Sequence, residues 1–591
     1  MCGIAGSFGT ADRTPVRTMT EAVRHRGPDA TGYHSGGVLQ LGSARLSIID
    51  VDGGTQPIYN ETGEICAVVN GEIYNYRELR DQLAARGHRF ATGSDSEVVV
   101  HLYEAYGERC VDHLRGMFAV AISDRDRLFL ARDRLGIKPL HYTVLAGSGV
   151  LLFASEIKAL LRCPEVRPEL DLQAFADHAV LTYEVDNRTL LEGIRSLPPG
   201  HTMTVMSGER GPRIEPVAYH CPPDGALGAD PGSGVDEAAG QLLDLLRDTV
   251  RFHLLADVEV GLTLSGGLDS ALLAVLMRDV TGRPFRAYSI VDHADHPDAV
   301  QAARLAACLG CRHEVVVPRF QDYLAAIPHH TRAEEAPSGL GSLPSYLLSA
   351  HLGGQIKVCL NGEGADELFG GYAEYAGNRE RARHARANLQ VLASLGLSPS
   401  HRAQEIVDVL TRPQLIEADL GALFAVNLRE ELTLHHLEPL DKCAMAHGVE
   451  MRVPYLDDEV VRFVTALPVE WKVDSLLGIQ KRVLKLAALA AAGHPGPLAD
   501  SVLRRKIGGP AAGFRYRAML DRLCEETLPE DYLDRHELGR CFATKRELLI
   551  FELFYEIFVN HRGTVPEDLT LPEFMRERAR GRVPAMRGGV R

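Results

Sequence analysis

The sequence predicts an α/β protein built from two unlike halves. Residues 1–206 consist mainly of short apolar runs separated by turns, a pattern typical of paired strands. From residue 236 to 591, apolar strands alternate with amphipathic helices, which indicates a parallel sheet covered by helices. Residues 207–235 are rich in Pro, Gly, Asp and Ala without apolar periodicity, and we interpret them as a linker. The length of 591 residues therefore accommodates two large domains.

Four apolar runs in the first half predict strands, at residues 65–69, 117–122, 128–131 and 151–154. The first run is expected to end at Asn70-Gly71, because this dipeptide favours a turn. Ser94 and Glu97 have the spacing of a capping box ahead of an apolar stretch, so a helix is predicted to begin at Ser94.

The second half predicts a repeated strand and helix unit followed by a helical region. Strands are predicted at 258–264, 286–291, 315–317 and 357–360. Helices are predicted at 238–253, from 270 onward, at 299–309, and later near 379–392, 403–411, 480–491 and 546–559.

Net charge and chain composition exclude several kinds of partner. The formal net charge of -15 and the pI near 5.9 argue against nucleic acid as the main ligand. An anionic ligand would need Mg²⁺, helix N-termini or a few well-placed cations. The chain begins without a signal-peptide pattern and contains no apolar run of about 18 residues, so we expect no membrane partner and a cytoplasmic location.

The eleven cysteines are scattered, and their spacing does not resemble a disulfide framework, so we expect reduced thiols. Cys308 and Cys311, followed by His313, have the spacing of metal ligands, but the sequence lacks a second pair at a suitable distance. We therefore interpret this segment as a helix end that turns into a strand over 314–317.

The second residue is a cysteine, and removal of Met1 would leave its thiol beside a free α-amine. A free α-amine has a pKa of about 7.7 to 8.0 and a thiol about 8.5, so the amine can accept the thiol proton during attack. The small residues Gly3, Ala5 and Gly6 suit a buried strand that a substrate approaches closely. Cys2 is therefore a candidate nucleophile, with an ordinary buried cysteine as the alternative.

A phosphate loop is predicted where the strand at 258–264 leads into a helix. Residues 265–270 read Ser-Gly-Gly-Leu-Asp-Ser, and their backbone N–H groups, hydroxyls and helix N-terminus favour an anion. The loop lacks the Gly-Lys-Ser/Thr ending of kinase-like NTPases and carries Asp269 instead. A carboxylate repels phosphate unless a cation intervenes, so Asp269 is a candidate Mg²⁺ ligand. A glycine-rich turn with a capping aspartate is the alternative.

A second acidic loop follows the strand at 357–360 and reads Asn361-Gly-Glu-Gly-Ala-Asp-Glu367, with Gly370-Gly-Tyr372 beyond it. Ligands of an open α/β sheet bind outside the carboxyl ends of its strands, so both loops are expected to open onto one crevice. Three carboxylates within five residues call for Mg²⁺ or a cationic ligand, unless the segment is a solvated acidic turn.

Short motifs along nearly the whole chain match one family in order. They are Cys2-Gly-Ile, His25-Arg-Gly-Pro-Asp29, Arg45-Leu-Ser-Ile-Ile49, Asn70-Gly-Glu-Ile-Tyr-Asn75, Ser94-Asp95, Ser155-Glu-Ile-Lys158, residues 265–270 and 362–367, and Gly448-Val-Glu-Met-Arg-Val-Pro-Tyr-Leu-Asp457. The sequence resembles the class II glutamine amidotransferase synthetases, typified by glutamine-hydrolysing asparagine synthetase of the B type. The resemblance implies an N-terminal-nucleophile (Ntn) hydrolase αββα sandwich followed by an ATP-pyrophosphatase domain with a parallel sheet.

In the first domain, the resemblance implies that Cys2 is the nucleophile and that Asn70 and the Gly71 N–H form the oxyanion hole. Such a donor is typically worth about 2.7 to 4 kcal/mol. The implied glutamine-binding residues are Arg45 for the α-carboxylate, Glu72 and Asp95 for the α-ammonium, and Leu46, Ser47, Ile48, Ile49, Asn70 and Gly71 around them. The predicted position of Asp95 in a first helical turn also allows a structural role, because a carboxylate there offsets the helix dipole.

In the second domain, the resemblance implies an ATP site formed by Thr263, Ser265, Gly266, Gly267, Asp269, Ser270, Ile290, Asn361 and Gly362. Asp269 and Asp366 resemble the Mg²⁺-pyrophosphate ligands. Glu363 resembles the acid beside the acyl-adenylate, and Lys481 resembles the lysine that neutralises charge as pyrophosphate leaves. A solvated helix lysine is the alternative for Lys481.

The sequence departs from the family's common pattern where the acceptor pocket is expected. Asn361 stands where Ser is frequent, the strand after Arg286 runs into Asp292-His-Ala-Asp-His296, and the residues between Tyr372 and Gly448 match no family motif. Variable segments of this kind build acceptor pockets, and a fold does not fix a substrate.

The predicted function is ATP-dependent amide synthesis with ammonia from glutamine. Aspartate is the expected acceptor, and asparagine, AMP and pyrophosphate are the expected products. The alternatives are the same chemistry on a specialised-metabolite carboxylic acid and, remotely, a non-catalytic regulatory protein of the same fold. The expected partners are glutamine, ATP and the carboxylic acid, with a homodimer among the alternatives for the assembly.

Overall fold

The computed structural model describes residues 2–206, 214–221, 234–337, 339–372, 375, 379–412, 417–474, 478–491, 496–503 and 512–581. The strands of the first half are β1 (Cys2–Phe8), β2 (Ala30–Gly36), β3 (Leu39–Arg45), β4 (Ile58–Tyr59), β5 (Ile65–Ile73), β6 (Gly116–Asp124), β7 (Arg127–Arg132), β8 (His141–Val144), β9 (Leu151–Ala154), β10 (Ile194–Ser196), β11 (His201–Met206) and β12 (Val217–Ala218). Its α-helices are α1 (Thr14–Ala22), α2 (Tyr76–Ala85), α3 (Glu97–Tyr106), α4 (Ile157–Leu160) and α5 (Leu172–Leu181).

Two antiparallel sheets stack face to face in this half, in the strand orders β10-β8-β9-β1-β3-β2 and β12-β11-β7-β6-β5-β4. Alternate residues of β1, namely Cys2, Ile4 and Phe8, pack against Cys66 and Val68 of β5, because side chains along a strand alternate between its two faces. Helices α1 and α4 contact the first sheet, and α3 contacts the second. The predicted αββα sandwich is confirmed.

The strand predicted to end at Asn70-Gly71 continues through this dipeptide, so that prediction is wrong. Asn70 pairs with Ala119 and Gly71 with Phe118 in the β5–β6 ladder. A Cβ atom on Gly71 would lie 1.9 Å from the carbonyl oxygen of Met117, and the residue has φ +152°. The glycine is therefore required by the close approach of the neighbouring strand, a role that glycine also has inside sheets.

The prediction of a capping box and a helix start at Ser94 is also wrong. Helix α3 begins at Glu97, with Ser96 as its N-cap and no side-chain capping bond. The Glu97 carboxylate instead accepts bonds from the backbone N–H groups of Ala91, at 2.6 Å, and Thr92, at 2.8 Å. Asp95 thus lies ahead of the helix rather than in its first turn, which removes the helix-dipole explanation for this residue.

The strands of the second half are β13 (Val260–Thr263), β14 (Arg286–Ile290), β15 (Arg312–Val316), β16 (Val358–Leu360) and β17 (Glu450–Arg452). Its first helices are α6 (Val235–His253), α7 (Leu268–Thr281), α8 (Pro297–Leu309), α9 (Phe320–Glu334), α10 (Leu343–Leu352), α11 (Ala365–Phe369), α12 (Glu380–Ser394), α13 (His401–Thr411) and α14 (Glu417–Val426). The later helices are α15 (Glu438–Met445), α16 (Asp458–Thr465), α17 (Val469–Lys472), α18 (Arg482–Ala490), α19 (Pro497–Leu503), α20 (Ala512–Thr527), α21 (Lys545–Tyr555) and α22 (Leu571–Ala579). Two π-helical segments, Asn427–Leu437 and Glu556–Asn560, continue α14 and α21.

All described pairings in the second sheet are parallel, in the order β15-β14-β13-β16-β17. The predicted parallel sheet with helices is confirmed. Gly310, in a left-handed conformation, ends α8 and leads into β15, so the segment with Cys308 and Cys311 is a helix end that turns into a strand. Within the described part of the chain, no helix is both long and apolar enough to cross a membrane.

Of the predicted linker, residues 207–213 and 222–233 lie outside the described residues. Residues Val217 and Ala218 pair with β11, and the Tyr219 hydroxyl donates to the carbonyl oxygen of Arg132 at 2.9 Å. The described middle of this segment therefore packs on the sheet of the first half. Helix α6 begins at its last residue, Val235.

A buried charge network joins the two halves. Arg26 lies 2.9 Å from Glu156 and 2.6 Å from Asp441, and Lys138 lies 2.9 Å from the same Asp441. The network continues through the ion pairs Lys158–Glu156, Lys158–Glu335, Lys442–Glu335, Lys442–Glu438 and Arg132–Glu438. Burying charges is costly unless each has a partner, so these residues need both halves in contact.

Candidate active site

The candidate nucleophile lies at the start of β1 inside the sandwich, where Cys2 is 2% exposed. Burial raises the pKa of the Cys2 thiol, while the nearby Arg45 guanidinium opposes the rise. The backbone nitrogen of Cys2 donates to Asn70 Oδ1 at 3.3 Å, and Gln56 Nε2 donates to the Cys2 sulfur at 3.3 Å. The α-amine and the thiol proposed for the reaction are thus held by residues of the opposite sheet and the loop before it.

Asn70 has the properties required of an oxyanion-hole donor. Its side chain is fully buried, and among the described residues its Nδ2 has no hydrogen-bond partner. Buried polar groups are nearly always paired, so an orphaned N–H₂ group on a residue that contacts Cys2 is a candidate donor to a ligand oxygen. Because Oδ1 accepts from the Cys2 nitrogen, the donor side of the amide faces away from that nitrogen. Sequence reasoning named this residue, and the structure brings it to the backbone of Cys2.

The residues assigned to the substrate ammonium, Glu72 and Asp95, are both buried. Asp95 Oδ2 accepts from the Ile73 N–H at 2.8 Å, and burial raises the pKa of Asp95 against this bond. Burial and the carboxylates of Glu450 and Asp95 raise the pKa of Glu72 to about 8, while Arg452 opposes the rise. A bound ammonium group would favour the charged form of both carboxylates.

Arg45, at the end of β3, is held by the loop that follows it. Its Nη2 donates to the carbonyl oxygens of Ile49, at 2.9 Å, and Asp50, at 2.7 Å, and its Nη1 donates to Val51 at 3.3 Å. A guanidinium has five N–H groups, so these bonds leave donors for a substrate carboxylate. Arg45 therefore shapes the loop and also places a positive charge near the Cys2 thiol, where it opposes the rise in the thiol pKa.

The segment from Leu46 to Ile49 also contacts the second half. Lys357 Nζ donates to the carbonyl oxygen of Ser47 at 3.3 Å, and the Asp257 N–H donates to that of Ile48 at 2.9 Å. All four side chains are buried. The predicted glutamine-binding segment is therefore part of the contact between the halves.

The predicted phosphate loop joins β13 to α7. Ser265 and Ser270 hold it closed, with 3.0 Å between their hydroxyl oxygens, and the Ser265 N–H donates to Ser270 Oγ at 3.1 Å. Gly266 has φ +76°, and a Cβ atom there would lie 2.4 Å from the carbonyl oxygen of Asp298. Gly267 is the N-cap of α7, so Asp269 lies in the first turn of that helix.

The second predicted loop meets the first across the sheet, as expected for the carboxyl ends of β13 and β16. Gly362 lies beside Asp269, because a Cβ atom on Gly362 would be 3.2 Å from the Cβ atom of Asp269. Asn361 Oδ1 accepts from the Glu363 N–H at 2.8 Å, which orders the turn. The Asn361 side chain thus shapes the loop. Thr263 and Ile290 end β13 and β14 at the same cavity.

Lys481 lies between the two predicted Mg²⁺ ligands. Its Nζ is 2.6 Å from Asp269 Oδ2 and 2.6 Å from Asp366 Oδ1. Burial opposes the charge, but the two carboxylates raise the pKa of Lys481. Lys481 is the N-cap of α18 in a left-handed conformation, and Gly371 leaves room for it, since a Cβ atom there would be 2.3 Å from Lys481 Cε. The structure therefore supports a role at the phosphate loops over a solvated helix lysine.

Sequence reasoning missed His436, in the π-helical segment within the stretch without motifs. Its Nδ1 is 3.1 Å from Glu363 Oε1, and its Nε2 is 3.5 Å from Glu367 Oε1. Burial alone would lower the pKa of His436, but these carboxylates raise it to about 10. Tyr372 completes the group, with its hydroxyl 3.2 Å from His436 Nε2. The sequence shows two adjacent histidines at 435–436, which could have marked a site. Which of the two contacts Glu363 depends on the register of the π-helical segment.

Both loops and His436 line one cavity of about 1240 Å³. It is also lined by residues of the first half, including His178 and Tyr183, and by residues near the C-terminus, including Phe542. Several elements with no recognisable motif thus contribute to the same space as the phosphate loops.

One arginine touches both sites. Arg452, in β17, has its Nη2 3.2 Å from Glu72 Oε2, and its carbonyl oxygen accepts from the Asn361 N–H at 2.8 Å. Its Nη1 donates to the carbonyl oxygens of His253 and Leu255, each at 2.8 Å. A carboxylate of the predicted glutamine site and a loop of the predicted ATP site therefore both contact Arg452.

Together, the Ntn sandwich with Cys2 at the start of its first strand and the parallel sheet with its two acidic loops define a glutamine amidotransferase joined to a synthetase. Comparison with known sequences agrees. The model described as a glutamine amidotransferase domain matches residues 1–214, and the model described as asparagine synthase matches residues 241–563.

Relatives with both parts are found in bacteria and plants. Asparagine synthetase (glutamine-hydrolysing) 1 of Bacillus subtilis is 29% identical over 568 residues, which cover 86% of this chain and 87% of that protein. Asparagine synthetase (glutamine-hydrolysing) 2 of Arabidopsis thaliana is 32% identical over 511 residues, covering 82% of this chain and 75% of that protein. The chain belongs to the asparagine synthase family, whose named members are amidotransferase ligases.

Proposed function

We propose that this protein makes an amide from a carboxylic acid, ATP and glutamine through an acyl-adenylate, with aspartate as the acceptor. The observation that carries the proposal is the pairing of two complementary sites on one chain. One holds the buried Cys2 beside the orphaned Asn70 donor, and the other holds two carboxylates around Lys481 at a phosphate loop. The first site alone would release ammonia without using it, and the second site alone would activate a carboxylate without a source of ammonia.

The first reaction belongs to residues 1–206. Once Met1 is removed, the freed α-amine of Cys2 accepts the thiol proton, the sulfur attacks the glutamine side-chain carbonyl, and Asn70 Nδ2 with the Gly71 N–H stabilises the oxyanion. Ammonia leaves, and water then hydrolyses the thioester to release glutamate. Arg45, Glu72 and Asp95 hold the substrate's charged end.

The second reaction belongs to residues 236–591, joined to the first domain by 207–235. The acceptor carboxylate attacks the α-phosphorus of ATP, pyrophosphate leaves, and ammonia then displaces AMP from the acyl carbon. The phosphate loop holds the triphosphate, and Lys481 neutralises charge on the leaving pyrophosphate. Glu363, oriented by His436, accepts a proton from the attacking ammonia.

Mg²⁺ suits this second site, because Asp269 and Asp366 present carboxylate oxygens to one point beside a phosphate loop. Hard cations prefer oxygen ligands, and Mg²⁺ is usually held by one or two carboxylates plus substrate phosphates. When bound, the ion would offset the negative charge of the triphosphate. Lys481 already supplies one positive charge to the same two carboxylates.

A larger acceptor is the second candidate, favoured by the residues that line the cavity. Because ATP would occupy part of the volume of about 1240 Å³, the lining rather than the total size favours this candidate. Residues of the stretch without motifs, such as His384 and Asn388, line it.

The test is AMP release by the purified full-length protein with ATP, Mg²⁺ and glutamine against a panel of carboxylic acids, aspartate first. AMP release that depends on aspartate, with asparagine formed in equal amount, is the expected result. Release with a bulky acid but not with aspartate would replace the acceptor and keep the mechanism. ADP as product would contradict the adenylate.

A further inference from the structure

A cluster of two histidines and two glutamates lies on the first domain, outside both candidate sites. Glu61 lies in the turn between β4 and β5, His88 follows α2, and His101 and Glu104 lie one turn apart on α3. One ligand atom from each of the four side chains lies within 4.8 Å of the others. Three separate segments of chain therefore bring metal-ligand atoms to one point.

The distances between these side chains are slightly longer than those of a tetrahedral metal site. His101 Nδ1 is 3.5 Å from Glu61 Oε2 and 3.9 Å from Glu104 Oε2. His88 Nδ1 is 3.5 Å from the same Glu104 oxygen and 3.8 Å from Glu61 Oε1. Four ligands at about 2.0 to 2.2 Å from a zinc ion are roughly 3.3 to 3.6 Å apart. Small side-chain rotations would close the remaining differences.

His101 gives independent evidence for a ligand. It is 0% exposed, and among the described residues its ring nitrogens face carboxylates at 3.5 Å and 3.7 Å without forming a hydrogen bond of good geometry. Its ring is fixed by Phe90, with 4.4 Å between the ring centroids, so that Nδ1 faces the two glutamates. An unpaired buried nitrogen costs free energy, and a metal ion at the cluster would satisfy it.

A carboxylate behind His101 is placed as in known metal sites, where a second residue orients a metal-bound histidine. His101 Nε2 faces Glu97 Oε1 at 3.7 Å, as in sites where a carboxylate orients a metal-bound histidine. The side chains of Glu61 and Glu104 are 30% and 33% exposed, so an ion can enter from solvent. Imidazole and carboxylate ligands in a four-coordinate set suit zinc.

We propose that Glu61, His88, His101 and Glu104 bind one Zn²⁺ ion that braces the glutaminase domain. Glu97, which faces His101, also accepts the N–H bonds of Ala91 and Thr92 at the start of the loop that carries Asp95. The ion would thereby fix the segment that leads to the predicted ammonium ligand. It has no part in the chemistry of either reaction.

The experiment titrates the chelator-treated full-length protein with Co²⁺ and Zn²⁺ alone. Tetrahedral Co²⁺ absorbs in the visible range, and bound Zn²⁺ raises the unfolding temperature by mass action. We expect a visible Co²⁺ band with wild type that saturates at one equivalent and disappears when Zn²⁺ displaces it. The unfolding temperature should rise with added Zn²⁺.

His88→Gln and Glu104→Gln, at partly exposed positions, should each weaken Zn²⁺ binding at least tenfold and abolish the temperature rise. His401→Gln is the matched control, because His401 is an exposed histidine 3.4 Å from Glu405 outside the cluster. It should bind Zn²⁺ as wild type does. Absence of the Co²⁺ band in wild type, or unchanged binding in both cluster variants, would overturn the proposal.

Discussion

The two candidate sites are built in opposite ways. In the glutaminase domain, Cys2, Asn70 and Glu72 lie on strands and are almost completely buried. In the synthetase domain, Asp269, Glu363 and Asp366 lie on loops or first helical turns at the edge of the sheet, and their side chains are 18% to 30% exposed. A rigid, buried site suits one small substrate held for nucleophilic attack, whereas an open edge suits a nucleotide and a second substrate that must enter and leave.

The largest effect is expected from a substitution in the phosphate loop, which should stop synthesis and spare the glutaminase site. Asp269→Asn removes the charge that meets Lys481 and, in our proposal, Mg²⁺, so synthesis should be abolished while glutamine hydrolysis stays within about threefold. AMP formation and glutamate formation are measured in parallel. Synthesis within tenfold of wild type would contradict the role of this loop.

The next largest effect is expected from a substitution in the glutaminase site, which should spare the synthetase site. Asn70→Ala removes one oxyanion donor, which typically costs about 10² to 10³ in kcat. Glutamine hydrolysis should fall by that factor, while synthesis from ammonium chloride should be unchanged. A matched loss with both nitrogen sources would mean that Asn70 is structural.

The sequence predicts the loop-built synthetase site better than the strand-built glutaminase site. The loop at 265–270 depends on one strand, two glycines and the next helix, so local rules suffice to place it between β13 and α7. The Asn70–Cys2 contact joins strands 68 residues apart, and local rules instead predict a turn at Asn70-Gly71, where the neighbouring strand imposes an extended glycine. His436 depends on the register of a π-helical segment, and the zinc cluster on three segments, so neither has a local signal.

A smaller effect is expected in the pH dependence of glutamine use. The raised pKa of Glu72, about 8, means that its carboxyl group is protonated at lower pH and becomes a carboxylate as the pH rises. The carboxylate attracts the substrate ammonium, so the KM for glutamine should fall several-fold between pH 6.5 and about 8.5. Glu72→Gln should remove this dependence. An unchanged profile in the variant would contradict the assignment.

The smallest effect concerns the contact between the domains. Arg115 donates to both carboxylate oxygens of Asp457 in the other half, at 2.8 to 3.1 Å. Arg115→Ala should lower the free energy of unfolding by about 1.5 to 3 kcal/mol, because charge-assisted bonds are lost at a buried partner. Arg125→Ala breaks the exposed pair with Glu64 and should have a much smaller effect on stability, because exposed ion pairs contribute little. Denaturant unfolding measures both, and equal costs would contradict the buried role.

The most direct test of the account is Cys2→Ala assayed with each nitrogen source. The substitution removes the nucleophile, and the synthetase residues lie on a different sheet. We expect glutamine-dependent amide synthesis to vanish, while a high concentration of ammonium still supports AMP release and amide formation at the wild-type rate. Undiminished synthesis from glutamine would contradict the division of chemistry between the two domains.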